Sequence, residues 1–247
     1  MNKKLIKNTI ILTLAAITLV TATVLTTVAY LVSTAKVSNV FTVGDVTIEM
    51  YESHVDANGH KIPLAPGAKK SADTNSYAIV PGGTYDKDPT IYIKPDSAET
   101  ILFVKTRNQI SNIEIPENND LGKKTMRQQM EENGWIRVAQ TSIGDWIYVY
   151  AGDPSDNNET TAYAEVIGKS SEVITIDLFE TFTIDPNCNT EEYKLAQGAA
   201  VTLTAYAIQA DGFSTLENQV SKTDVIKAWN AIVGKVSYEA GNEIPLP

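Results

Sequence analysis

The chain of 247 residues has one cysteine, Cys188, so no disulfide can form within it. It has two histidines, His54 and His60, and no H-E-x-x-H arrangement, which would set two zinc ligands one helical turn apart beside a glutamate base. A G-x-S-x-G elbow is also missing, which leaves a serine hydrolase without its nucleophile turn. Basic residues are too few to balance the acids, 20 against 30. Nucleic acid and anionic lipid would both repel such a chain, so neither is an expected partner. The thirty acids include no pair that stands out as catalytic carboxylates.

What is there begins with a leader. Lys3, Lys4 and Lys7 open the chain, and no charge follows from Asn8 to Ala35. A basic start, an apolar run and the small-x-small exit Thr27-Val28-Ala29 describe a secretory signal over residues 1–29, cut between Ala29 and Tyr30. The membrane then matters only during export. The competing arrangement is an uncleaved anchor, since the uncharged run could span roughly 30 Å of hydrocarbon. Either way the rest of the chain lies outside the cytoplasm. Cleavage leaves 218 residues, enough for one domain over 30–247, and shifts the net charge from −10 to −13.

Strand patterns dominate this remainder. Val46, Ile48 and Met50 alternate with Thr47, Glu49 and Tyr51, the period-two mark of a half-buried strand. "PTIYIK" and "ETILFVKTR" follow, separated by the turn "PDSA", then "GWIRVAQ", "DWIYVYAG", "TAYAEVIG", "SEVITIDLF" and "AAVTLTAYAIQA". "VPGGTYDKDP" reads as a long loop between strands. Two helices are expected. One spans Leu121 to Asn133 and stops at Gly134; the other follows Ser221 or Thr223, shows Val225, Ala228, Trp229 and Ile232 on one face, and stops at Gly234. Many short strands with few helices indicate an all-β, antiparallel two-sheet sandwich with peripheral helices.

Candidate sites are sparse. Asp56-Ala57-Asn58-Gly59 forms a hairpin turn that places His54 and His60 near each other across adjacent strands. That is a surface hairpin, or a two-histidine zinc site with Glu52 or Asp56. Asp185, Asn187 and Asn189 alternate as calcium ligands do. The sixth loop position, however, is Thr190 and the twelfth Ala196, so this is an ordinary acidic loop. Cys188 within it is an unremarked small side chain. Trp135, Trp146 and Trp229 are expected in the core rather than on a carbohydrate platform.

Four motifs, in order, resemble the TasA/camelysin family of secreted Gram-positive proteins, cargo of the SipW-type signal peptidase. They are the Thr27-Val28-Ala29 exit; the F-T-x-G strand Phe41-Thr42-Val43-Gly44; the P-G-x-x-x-x-K-D-P loop from Pro81-Gly82 to Lys87-Asp88-Pro89; and "TAYAIQADGF" ahead of the helix "KAWNAI". The resemblance implies a jelly-roll sandwich, export, and assembly into extracellular biofilm-matrix fibres. In such fibres the N-terminal segment of one subunit completes a sheet of the next.

Residues 30–40 are the candidate donor. Leu31, Ser33, Ala35 and Val37 alternate with Val32, Thr34 and Lys36, and a strand added to an open edge gains main-chain hydrogen bonds and side-chain pockets. The join is head-to-tail, so the principal partner is the chain itself, with other matrix or cell-surface proteins as further partners. Two other arrangements stay open: the segment is a flexible leader, or it pairs within its own subunit. The camelysin branch implies a zinc metallopeptidase, for which the sequence supplies no motif. A non-polymerising surface protein needing no cofactor is the third alternative.

Overall fold

The computed structural model describes residues 32–36, 39–41, 45–141, 144–152, 164–196, 198–213, 215–216 and 219–240. Ala29, Tyr30, Leu31 and Val37 lie outside them, as does the whole expected leader. In chain order the elements are β1 (Val32–Lys36), β2 (Asn39–Phe41), β3 (Ile48–Tyr51), β4 (Thr84–Asp86), β5 (Thr90–Ile93) and β6 (Thr100–Asn108). Next come α1 (Met126–Glu132), β7 (Trp135–Gln140), β8 (Trp146–Tyr150), β9 (Ala164–Glu165), β10 (Ile174–Asp177), β11 (Thr181–Thr183) and α2 (Thr190–Leu195). The series closes with β12 (Val201–Gln209), β13 (Thr215–Leu216), β14 (Gln219–Val220) and α3 (Lys222–Ala240).

The fold is all-β, and every strand pairing among the described residues is antiparallel. One six-stranded sheet runs β2-β1-β12-β6-β8-β7; smaller sheets run β10-β5-β3, β11-β4 and β13-β14-β9. The long central pair is β6 with β12, in register from Thr100↔Gln209 to Asn108↔Val201. Both strands carry runs of consecutively buried residues, Thr100–Val104 and Leu203–Ile208, because both faces of the sheet are covered. One face gives Leu102, Val104, Leu203, Ala205 and Ala207 to a core shared with Ile48, Met50, Ile91, Ile93 and Ile176 of the β10-β5-β3 sheet. Phe103 and Tyr206 turn the other way and meet the indole of Trp229 at 5.5 and 5.2 Å.

Trp229 belongs to α3, whose Val225, Ala228, Trp229 and Ile232 are fully buried, as a helical apolar stripe requires. Ser221 caps it, accepting the Asp224 N–H. The helix continues past Gly234, where the sequence places its end, to Ala240. The first helix is shorter than expected, beginning at Met126 rather than Leu121, because Thr125 starts it with a full capping box: its hydroxyl accepts the Gln128 N–H and its own N–H reaches the Gln128 side chain. Thr125→Ala is expected to lower stability by about 1 kcal/mol, read as a shift in the urea midpoint. Gly134 ends the helix at φ +85, and a Cβ there would stand 1.9 Å from the Gly152 carbonyl oxygen.

The loop "VPGGTYDKDP" holds a strand the sequence does not announce, β4, paired with β11. A third short helix, α2, occupies the acidic stretch after Asn189. At the far rim of the large sheet, the register between β7 and β8 shifts between Arg137 and Ala139, a β-bulge.

Candidate functional site

The first candidate is the edge of β12 that faces away from β6. Here β1 lies antiparallel on it, Val32↔Ile208 through Lys36↔Thr204, with Ser33 opposite Ala207 and Ala35 opposite Ala205. The N-terminal segment thus pairs within its own chain in this structure, one of the arrangements the sequence leaves open. It then returns as β2, with Lys36 opposite Asn39. Among the described residues no strand pairs with Val201–Leu203 on that side. Beyond the end of β1 lies a cleft of about 770 Å³, lined by the segment Asp73–Val80, Lys87, Ile110, Phe182, Tyr193 and the chain from Gly198 to Thr202. The Tyr193 hydroxyl donates to the Ile79 carbonyl, tying α2 to the opposite wall. Val80, on the rim, is 55 % exposed.

The second candidate is a buried polar network built by Lys87-Asp88, which the sequence offers only as part of a loop. The Lys87 ammonium donates to Glu52 Oε2 at 2.7 Å, and both residues are almost fully buried. Asp88 accepts the Ser53 N–H at 2.8 Å and the Ser53 hydroxyl at 2.9 Å. Its Oδ2 also meets the ammonium groups of Lys70 at 3.0 Å and Lys61 at 3.2 Å. These contacts fasten the chain between β4 and β5 to the end of β3 and to the irregular segment 61–70. Among the described residues, Glu52 Oε1 is buried without a hydrogen-bond partner.

Burial pushes the Asp88 carboxyl up, but the Ser53 N–H and the Lys70 ammonium outweigh it and hold the carboxyl below its ordinary value of 3.8. A depressed folded value contributes stability that is fully present above the ordinary value and fades as pH falls through the folded one. Urea midpoints measured downward from pH 5 are expected to drop in this window, and to drop less in Asp88→Asn. Glu114 works in the opposite sense: burial raises its carboxyl above 4.5, so its share of stability declines as pH rises through the folded value.

The turn between His54 and His60 is present: Asp56 donates its N–H to the His60 carbonyl at 2.8 Å, Gly59 to the Asp56 carbonyl at 3.0 Å, and Val55 bridges Lys61. The rings, however, go to different partners. His54 Nε2 lies 3.3 Å from the Ser71 hydroxyl, and His60 Nδ1 lies 3.8 Å from Asp86 Oδ2. The proposed third ligands are engaged elsewhere, Glu52 by Lys87 and Asp56 by the N–H groups of Asn58 and His60. Among the described residues no three histidine, cysteine or carboxylate side chains gather as a metal group. Replacing both histidines by alanine is expected to change stability by less than about 0.5 kcal/mol, and added zinc to leave the melting temperature where it was.

The acidic loop has a structural purpose. Asp185 accepts the Asn187 N–H, and Asn189 caps α2 by accepting the N–H groups of Glu191 and Glu192. Burial pushes the Cys188 thiol up, and the Asp185 and Glu192 charges push it further, away from thiolate reactivity. Trp135 and Trp229 are core residues; Trp146 is half-buried, with the Arg137 guanidinium 4.5 Å over its ring. No described helix is long and apolar enough to cross a membrane.

No family model, no curated protein and no solved structure matches the chain.

Proposed function

We propose that the protein is an exported structural subunit of extracellular matrix fibres, with a jelly-roll arrangement of its sheets. It polymerises when the N-terminal strand of one copy takes the β1 position on β12 of the next. The supporting observation is the placement of β1. It lies at the very start of the unit that follows the expected signal, and it holds its place on β12 through main-chain pairing, the interaction any extended segment of the same sequence can supply. A second copy therefore offers the same strand to the same edge. The relation is head-to-tail and does not close, so it propagates. The acidic surface keeps free subunits apart until strands exchange.

The test is direct. The exported protein, with its first residue established by N-terminal sequencing, is concentrated and imaged by negative stain, with and without chelator. Fibres in both samples are expected. A product that stays monomeric at every concentration overturns the reading, and casein cleavage that chelator abolishes would point to the peptidase instead.

A further inference from the structure

We infer that the cleft beyond the end of β1 is the receptor for Phe41 of a second copy, so that the incoming strand is longer than the one seen here. This rests on the fibre reading and names the side chain that fixes its register. In this structure the segment pairs with β12 only from Val32 to Lys36 and then turns back as β2. An incoming copy has no need to turn. Kept extended, the same register carries it onward past Leu203, Thr202 and Val201, the stretch of β12 with no strand partner on that side among the described residues. Each residue advances about 3.3 Å, so the five residues from Lys36 to Phe41 cover about 17 Å.

Continued in that register, Val37 falls opposite Leu203, Asn39 opposite Val201 and Phe41 opposite Ala199. Residues two apart on a strand share a face. Leu203 belongs to the core, and Val201 and Ala199 are packed against it, so this face looks inward. At Ala199 the register enters the cleft, whose wall there is Tyr77, Ile79, Ile110, Phe182 and Tyr193. Gly198, Ala199 and Ala200 on the strand side are small and leave space for a ring. The exposed Val80 at the rim is apolar surface that an incoming chain would cover. Phenylalanine buries roughly 150–250 Å² and makes favourable tilted contacts with tyrosine and phenylalanine rings. A volume of about 770 Å³ admits it together with the flanking backbone. The added strand thus ends in an anchor, and the anchor distinguishes the correct register from slips of two residues, which main-chain pairing alone tolerates.

The experiment uses the exported chain in a Cys188→Ser background. Copies carrying only Phe41→Cys are mixed with copies carrying only Ala199→Cys; a parallel mixture pairs Ala35→Cys with Ala205→Cys. Directly paired residues lie within disulfide reach. Both mixtures are expected to give disulfide-linked dimers after assembly, and Phe41→Asp is expected to abolish fibres while leaving the monomer folded by circular dichroism. Fibres with a 35–205 link but no 41–199 link overturn the Phe41 anchor and leave strand addition standing. No fibres and no intermolecular link of either kind overturn both. A chain carrying Phe41→Cys and Ala199→Cys together that closes only on itself makes the occupant its own segment, and also overturns the inference.

Discussion

Removal of residues 30–41 from the exported chain is expected to abolish fibre formation, and a peptide of those residues is expected to bind the truncated protein. The argument follows from the sheet. β12 sits between β6 and β1, and without β1 its outer edge carries unpaired N–H and C=O groups along Thr204–Ile208. Each main-chain hydrogen bond lost costs about 0.5–1.5 kcal/mol net, so truncation also lowers stability by several kcal/mol. The peptide should recover most of the melting temperature because it supplies the same pairing. Light scattering and negative stain then separate two results: soluble or amorphous material from the truncated chain, and ordered fibres from the intact one. Fibres of unchanged appearance after truncation would show that polymerisation runs through another surface.

Lys87→Ala is expected to cost about 3–5 kcal/mol, among the largest effects of any single substitution outside the core. The ammonium is the hydrogen-bond partner of Glu52 Oε2, and Oε1 has none among the described residues, so the variant removes the buried carboxylate's partner. The double variant Glu52→Leu with Lys87→Met should behave quite differently. Replacing both charges by apolar groups of similar volume is often neutral or stabilising by about 1–4 kcal/mol. Urea denaturation of the two single variants and the double variant gives the coupling directly. A cost below about 1 kcal/mol for Lys87→Ala would show that the pair does not hold β3 to the chain ahead of β5.

Much of the architecture is readable in the sequence. The alternation around Ile48 and Met50, the strand segments "ETILFVKTR" and "AAVTLTAYAIQA", and the stripe Val225–Trp229–Ile232 are local patterns, and each forms the expected element. β4 was not readable, because three residues flanked by Gly83 and Lys87 have no period of their own. The strand exists through its pairing with β11, almost a hundred residues away. The end of α3 lies beyond the expected stop for a related reason: Gly234 is a frequent stop, but glycine costs a helix only about 1 kcal/mol and does not by itself end one. The sequence marks Lys87 and Asp88 only as part of a loop. Their burial depends on Glu52, Ser53 and Lys70, which only folding brings to them. His54 and His60 were correctly set about a turn, yet the chemistry of the site turned on where the rings point, and sequence spacing does not encode that.

The bulge between Arg137 and Ala139 has a bearing on the growth of the proposed fibre. A sheet with two regular rims could stack sideways on its neighbours without limit and yield tangled ribbons. Here the rim formed by β7 is kinked, and a kinked border matches poorly with another straight backbone. On the proposed fibre reading, elongation would then be confined to the opposite border, giving a thread of single-subunit width with a definite polarity.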